Sequence, residues 1–192
     1  MNLFHEAGVV ILDFGSQYTQ LIARRIREQS VYSEILPANI RLSEIEERKP
    51  SAIILSGGPS SVFGDSSSKF DSTILDSDYP ILGICYGLQL LIHQSGGTVE
   101  STGSGEYGFA KLKVHNHDSL FKTIHDGTQV WMSHMDRVTH IPKEWTVLAE
   151  SENGVVASLA HENKKWVATQ FHPEVVHTIE GETILRNFLF DI

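Results

Sequence analysis

Tyr79-Pro80-Ile81-Leu82-Gly83-Ile84-Cys85-Tyr86-Gly87-Leu88 is an apolar run that changes its period midway, and the change falls on the chain's single cysteine. Residues 79–84 are short, continuous and bounded by Pro and Gly, the pattern of a buried strand, whereas Leu88, Leu91 and Ile92 recur at helical spacing. A strand that breaks at once into a helix lifts the residue at the break out of the sheet. Gly83 and Gly87 flank that break, and a tight elbow needs residues that tolerate crowded or left-handed backbone. The form is that of a nucleophile elbow with Cys in place of Ser, and the helix N-terminus that follows favours a thiolate. A buried structural cysteine is the alternative from these residues alone, because free Cys is among the most buried residue types.

Outward from the elbow, Gly8 to Asp13 reads as a buried strand and Gln17 to Gln29 as an amphipathic helix with Leu21, Ile22 and Ile26 inward. Tyr32 to Leu36 is a strand, Ser43 is expected to cap a short helix carrying Ile45, and Ser51 to Leu55 is a second continuous apolar strand ending in Ser56-Gly57-Gly58-Pro59. This alternation implies an α/β fold with a mostly parallel central sheet flanked by helices on both faces. Beyond the elbow helix, at about 86 to 95, the texture changes to short strands with period-two alternation. They are expected at Val99 to Thr102, Ala110 to His115, Gln129 to Met132, Thr146 to Glu150, Val155 to Leu159 and Trp166 to Gln170, and they add mixed or antiparallel strands to the sheet. Ile179 to Phe190 closes the pattern as a helix with Ile184, Leu185, Phe188 and Leu189 inward. Ligand sites in open α/β sheets lie beyond the carboxyl ends of the strands, where the loops at 57–59, 85–87 and 171–174 fall.

With 192 residues, 41% hydrophobic and 20% charged, the chain can bury one sizeable core, so a single domain over 1–192 is expected. A formal net charge of -9 argues against a nucleic-acid surface; Arg24, Arg25 and Arg27 are the only close basic group and suit a solvated or interface face. One cysteine excludes an intrachain disulfide, no apolar run approaches a membrane span, and Val9-Val10-Ile11-Leu12 ends at Asp13 without forming a signal segment. These features point to the cytoplasm and to no membrane partner. Ser66-Ser67-Ser68 is the one low-complexity tract.

His172-Pro173-Glu174 follows the last expected strand, and in extended backbone residues two apart share a side, which brings the Glu174 carboxylate to the His172 ring. A cysteine nucleophile needs a base, and the base needs a partner that fixes its tautomer; Cys85, His172 and Glu174 fill these roles. The other histidines, His5, His93, His115, His117, His125, His140 and His161 among them, read as ordinary surface or core residues, and no His/Cys spacing suggests a metal. Ser56-Gly57-Gly58-Pro59 is no phosphate loop, and the chain lacks G-x-x-x-x-G-K-[ST] and G-x-G-x-x-G. Its bare backbone can instead aim an amide at a developing oxyanion, with the N–H of Tyr86 as second donor.

Leu55-Ser56-Gly57-Gly58-Pro59, Gly83-Ile84-Cys85-Tyr86-Gly87-Leu88-Gln89 and His172-Pro173-Glu174, in that order, resemble the class I (triad) glutamine amidotransferases, a family of flavodoxin-like fold. The resemblance implies that Cys85 attacks the carboxamide of glutamine, His172 passes a proton to departing ammonia, Glu174 orients His172, and water releases glutamate from a γ-glutamyl thioester. It also implies that the Gly58 and Tyr86 amides form the oxyanion hole and that Gly57, Gln89, Ser133 and His134 contact the substrate. Ile11-Leu12-Asp13-Phe14-Gly15-Ser16-Gln17-Tyr18, Glu106-Tyr107-Gly108, Trp131-Met132-Ser133-His134 and His172 to Thr178 are similar to the GMP synthase branch of that family. This narrower likeness implies a partner ATP-pyrophosphatase domain or subunit, carrying ATP and Mg, that aminates XMP to GMP, with no cofactor in the present chain. Nothing in the sequence resembles that second domain. Met135 stands where the family usually has Gly after Ser-His, and Gly105 precedes Glu106 where a basic residue is common. Other readings are an amidotransferase half serving another acceptor, a stand-alone hydrolase of γ-glutamyl amides, and a non-catalytic docking module on the same fold.

Overall fold

The computed structural model describes residues 8–59, 61–62 and 70–192, so His5 and Ser66-Ser67-Ser68 lie outside the described residues. The chain runs β1 (Val9–Asp13), α1 (Thr19–Glu28), β2 (Ser33–Pro37), α2 (Leu42–Glu46), β3 (Ala52–Leu55), β4 (Ile81–Ile84), α3 (Tyr86–Gln94), β5 (Thr98–Val114), β6 (Gln129–His140), β7 (Trp145–Ser151), β8 (Val156–His161), β9 (Trp166–Thr169) and α4 (Gly181–Asp191), with short 3-10 helices at Ser72–Asp76 and Ser119–Phe121. Among the described residues nine strands form one sheet in the order β2-β1-β3-β4-β9-β8-β7-β5-β6. From β2 to β9 the neighbours are parallel; from β9 to β6 they are antiparallel.

Successive strand residues point to opposite faces, and each face has its own core. Val9, Ile11, Ile54, Leu82 and Ile84 pack with Ile22 and Ile26 of α1 and with Ile184, Leu185 and Phe188 of α4. The alternate residues Val10, Leu12, Ile53, Leu55 and Ile81 pack on the other side with Ile45 of α2 and Leu88, Leu91 and Ile92 of α3. Burial on both faces is why these strands read as unbroken apolar runs, each buried Leu or Ile contributing roughly 1.5–3 kcal/mol of transfer free energy. No helix of the described residues is long and apolar enough to cross a membrane.

Four local expectations are corrected. Ser43 is not a cap: α2 starts one residue earlier, Arg41 is its N-cap, and the free amide of Leu42 donates to the Asp71 carboxylate at 2.9 Å. Leu21 is only half-buried, and Ala23 fills the inner face of α1 instead. The strands expected at 99–102 and 110–115 are parts of one long β5, which pairs with β6 through an irregularity between Ser101 and Glu106 and with β7 at Leu112–Val114. Ile179 lies ahead of α4 and is exposed.

Candidate active site

Three adjacent parallel strands, β3, β4 and β9, deliver the three motif loops to one edge of the sheet, with the Cys85 loop in the middle. Cys85 itself carries the strain of the elbow, at φ 53° and ψ -102°, a backbone that costs a non-glycine residue of order 1–3 kcal/mol and persists only where its surroundings impose it. The imposing contacts are its N–H donating to Thr169 O at 2.7 Å and its carbonyl accepting from Gln89 N at 3.2 Å. Gly83 and Gly87 serve close approach. A Cβ on Gly83 would lie 2.7 Å from the Gly87 carbonyl, and one on Gly87 would lie 2.3 Å from Leu55 O.

His172 Nδ1 and Glu174 Oε1 are 2.8 Å apart, the carboxylate fully buried and the imidazole nearly so. They meet across a turn at 173–174 rather than along extended backbone. Thr178 Oγ1 donates to His172 O at 2.6 Å, Arg25 Nε donates to Glu174 O at 3.0 Å, and Gly181 packs so closely that a Cβ there would lie 2.0 Å from Pro173 O. Tyr18 meets the His172 ring edge-on with centroids 5.0 Å apart. Burial alone would lower the His172 pKa, but the Glu174 charge, with the Cys85 sulfur close by, outweighs it and pushes the value up to about 10. The buried Glu174 charge thus favours the imidazolium form of His172.

A cleft of about 590 Å³ opens over Cys85 and His172. Gly58, Gln89, Ser133 and His134 line it; Gly57 is buried just behind, where a Cβ would lie 3.2 Å from the His172 ring and 3.6 Å from Cys85 Cβ. The ring of Tyr86 turns away and packs 5.1 Å from Phe14, while its N–H opens α3, in the first turn, where amides lack an intrahelical acceptor. Ser133 and His134 lie inside β6, not in a loop beyond it. Ser133 presents its carbonyl 3.7 Å from the Cys85 sulfur. His134 Nδ1 bonds Asp136 O at 3.0 Å and Nε2 faces Glu106 Oε2 at 3.4 Å; burial lowers its pKa more than these contacts raise it.

Several residues at the site are not among those expected to contact substrate. Ser16, Gln17 and Tyr18 wall the cleft from the loop after β1, and Tyr107 and Met135 wall it from the β5–β6 ribbon. Gln170, fully buried at the end of β9, points its amide at Cys85. A polar residue inside the run Val167-Ala168-Thr169-Gln170-Phe171, two before His172, was the one available clue. A strained thiol and an imidazole bonded to a buried carboxylate, both opening onto one mixed polar cleft, can perform acyl transfer from a small amide or ester.

The family model described as Glutamine amidotransferase class-I matches residues 10–192. A GMP synthase (glutamine-hydrolyzing) of Brachyspira hyodysenteriae is 50% identical over 184 residues, covering 96% of this chain and 36% of that protein. The protein of the same description from Legionella pneumophila is 45% identical over 200 residues, covering 100% of this chain and 38% of that protein. The chain thus spans about a third of the length of the curated relatives it matches. The crystal structure of a candidate GMP synthase subunit from Thermoplasma acidophilum superposes with a TM-score of 0.89 at 33% identity, over 96% of this chain and 93% of that one. A glutamine amidotransferase structure from Thermotoga maritima shares the fold, with a TM-score of 0.75 at 19% identity over 96% and 97% of the two chains.

Proposed function

We propose that this chain, which belongs to the class-I glutamine amidotransferase family, hydrolyses glutamine to glutamate and ammonia through Cys85. The observation that carries this reading is the strained Cys85 opening onto the same cleft as His172, which is itself paired with buried Glu174 at 2.8 Å. The sulfur attacks the carboxamide carbon, and the oxyanion that forms is met by the N–H groups of Gly58 and Tyr86, each such donor being worth roughly 2.7–4 kcal/mol. His172 gives its proton to the amide nitrogen, which leaves as ammonia, and a γ-glutamyl thioester remains. Neutral His172 then takes a proton from water, the hydroxide adds to the thioester, and the sulfur is expelled as glutamate forms. Glu174 holds Nδ1–H throughout, so that Nε2 faces the reaction.

Gln89 spends both N–H groups inside the protein, on Asp136 O at 2.9 Å and Gln170 Oε1 at 3.4 Å, so its carbonyl oxygen is what it can offer a ligand. An acceptor there suits the α-ammonium of glutamine. Gly57, Ser133 and His134 complete the substrate wall.

The ammonia is assigned to the amination of XMP to GMP by an ATP-pyrophosphatase domain or subunit that binds ATP and Mg. The naming of relatives about half identical to this chain supports that assignment. The test is glutamate release from glutamine, by the chain alone and with a GMP synthase ATP-pyrophosphatase domain supplied with ATP and XMP, using Cys85→Ala as control. Cys85-dependent release that rises with the loaded partner is expected. Release indifferent to the partner would move the acceptor elsewhere, and no release under either condition would remove the glutaminase.

A further inference from the structure

Hydrolysis through Cys85, His172 and Glu174 leaves one polar side chain at the sulfur without a role. Gln170 is 0% exposed, and its Nε2 lies 3.7 Å from Cys85 Sγ. Its orientation is dictated from a distance. The Asp136 backbone carbonyl can only accept, so Gln89 must present its NH2 group there, at 2.9 Å. The second hydrogen on that nitrogen reaches Gln170 Oε1 at 3.4 Å, so Gln170 must show oxygen to Gln89 and nitrogen to the sulfur. Flipping Gln89 would set its oxygen against the Asp136 oxygen, and flipping Gln170 would set nitrogen against nitrogen. The Ser133 carbonyl, 3.7 Å away, accepts from the Cys85 thiol but repels the sulfur once it is an anion, which raises the need for a donor.

We infer that Gln170 is a further catalytic residue: its N–H, locked by Gln89 and the Asp136 carbonyl, stabilises the Cys85 thiolate before attack and again when the thioester expels it. This rests on the reading of Cys85 as the nucleophile. The donor matters most in the second step, where the sulfur leaves as an anion and His172 has just surrendered its charge to the first leaving group and must recover a proton from water. The titratable residues that share the cleft with the sulfur are His172 after β9, with Glu174 bonded behind it, Tyr18 after β1, Tyr107 from β5, and His134 and Asp136 from β6. Gln170 is neutral at every working pH, so replacing it changes the field at the sulfur without adding or removing a titrating charge.

Cys85 is the only cysteine, so iodoacetamide reports on one thiol. The experiment is the alkylation rate against pH, with steady-state glutamate release, for the wild type, Gln170→Leu and Gln170→Met. Both variants keep the volume of the side chain and delete the donor, and melting curves identify which are folded. The alkylation midpoint of a folded variant should move up by about one pH unit, and kcat should fall about tenfold with a smaller change in KM. A purely structural role would lower the melting temperature and leave the midpoint where it was. A folded variant whose profile overlays the wild type overturns the assignment. Alkylation reads the sulfur without glutamine, so absence of Cys85-dependent glutamate release from the wild type would strike the proposed function and leave the Gln170 measurement standing.

Discussion

Gly87→Ala separates the geometry of the elbow from the mere presence of its residues. A Cβ at this position lies 2.3 Å from Leu55 O, 2.8 Å from Leu55 Cβ and 3.0 Å from Leu55 C. Carbon atoms in contact sit about 3.5–4.0 Å apart, so α3 and β3 must separate by about 1 Å to admit the methyl group. The obstructing atoms are strand backbone, and relief therefore moves an element rather than the end of a flexible side chain. Overpacking of this kind costs about 2 kcal/mol, which for a domain of this size lowers the melting temperature by about 4–8 °C. Because β3 leads directly into Gly57 and Gly58 while α3 begins beside Cys85, the same displacement pulls the proposed oxyanion amide away from the sulfur. A positional error of about 1 Å can cost about a hundredfold in rate, so kcat for glutamate release should fall by far more than the stability loss alone explains. Gly96→Ala is the control, since that residue has φ +85° but nothing within 4 Å of an added Cβ: it should lose some stability to backbone strain and keep its kcat. Melting curves and Cys85-dependent glutamate release measure both. A Gly87→Ala protein with wild-type kcat, whatever its stability, would refute the coupling of helix packing to the oxyanion site.

Glu174→Gln keeps an acceptor oxygen beside His172 Nδ1 and removes the charge that holds the imidazolium; glutamate release should fall at least about a hundredfold, and steady-state kinetics at neutral pH would expose a smaller effect. Stability should also depend on pH through this pair. His172 is raised from 6.5 to about 10 on folding, so its contribution is fully present below the unfolded value and is lost as pH climbs toward the folded one. Urea midpoints should therefore decline from neutral pH toward pH 10 in the wild type and much less in Glu174→Gln; parallel curves for the two proteins would dismiss the linkage. Gly105→Ala places a Cβ 2.3 Å from His134 O and 3.0 Å from Met135 Cα, so it should push on the Ser133–Asp136 wall, lower stability by roughly 1–3 kcal/mol and raise KM for glutamine. An unchanged KM would show that the wall does not depend on that contact.

The parallel half of the fold was readable because burial on both faces writes itself into β1, β3 and β4 as short runs dominated by Val, Ile and Leu, with no solvent side to impose alternation. The elbow was readable for a related reason, since a change of hydrophobic period and two close-packed glycines are local facts. The β5–β6 ribbon was not. Between Ser101 and Ala110 its residues include Gly103, Gly105 and Gly108 and the exposed Tyr107 and Phe109, and only hydrogen bonding to β6 makes that stretch a strand. Ser43 failed as a cap because the carboxylate serving α2 comes from Asp71, 29 residues along the chain from Leu42.

The same division runs through the site. Cys85, His172 and Glu174 are recognisable by residue type and spacing, yet the reason they meet differs from the alternation of a strand. Thr178 and Gly181, six and eight residues further along than His172 and Pro173 respectively, bend the segment into a turn, and Arg25, 149 residues away, holds the Glu174 carbonyl. A pattern of residues can supply a carboxylate near an imidazole; the angle between them depends on partners that no local window contains. Gln170 is the extreme case, because even the identity of the atom it turns to the sulfur is decided by the Asp136 carbonyl acting through Gln89. Groups whose chemistry is intrinsic, such as a thiol or an imidazole, can thus be found from sequence, whereas an amide, equally able to donate or accept, acquires its role only when the network around it removes one of the two choices.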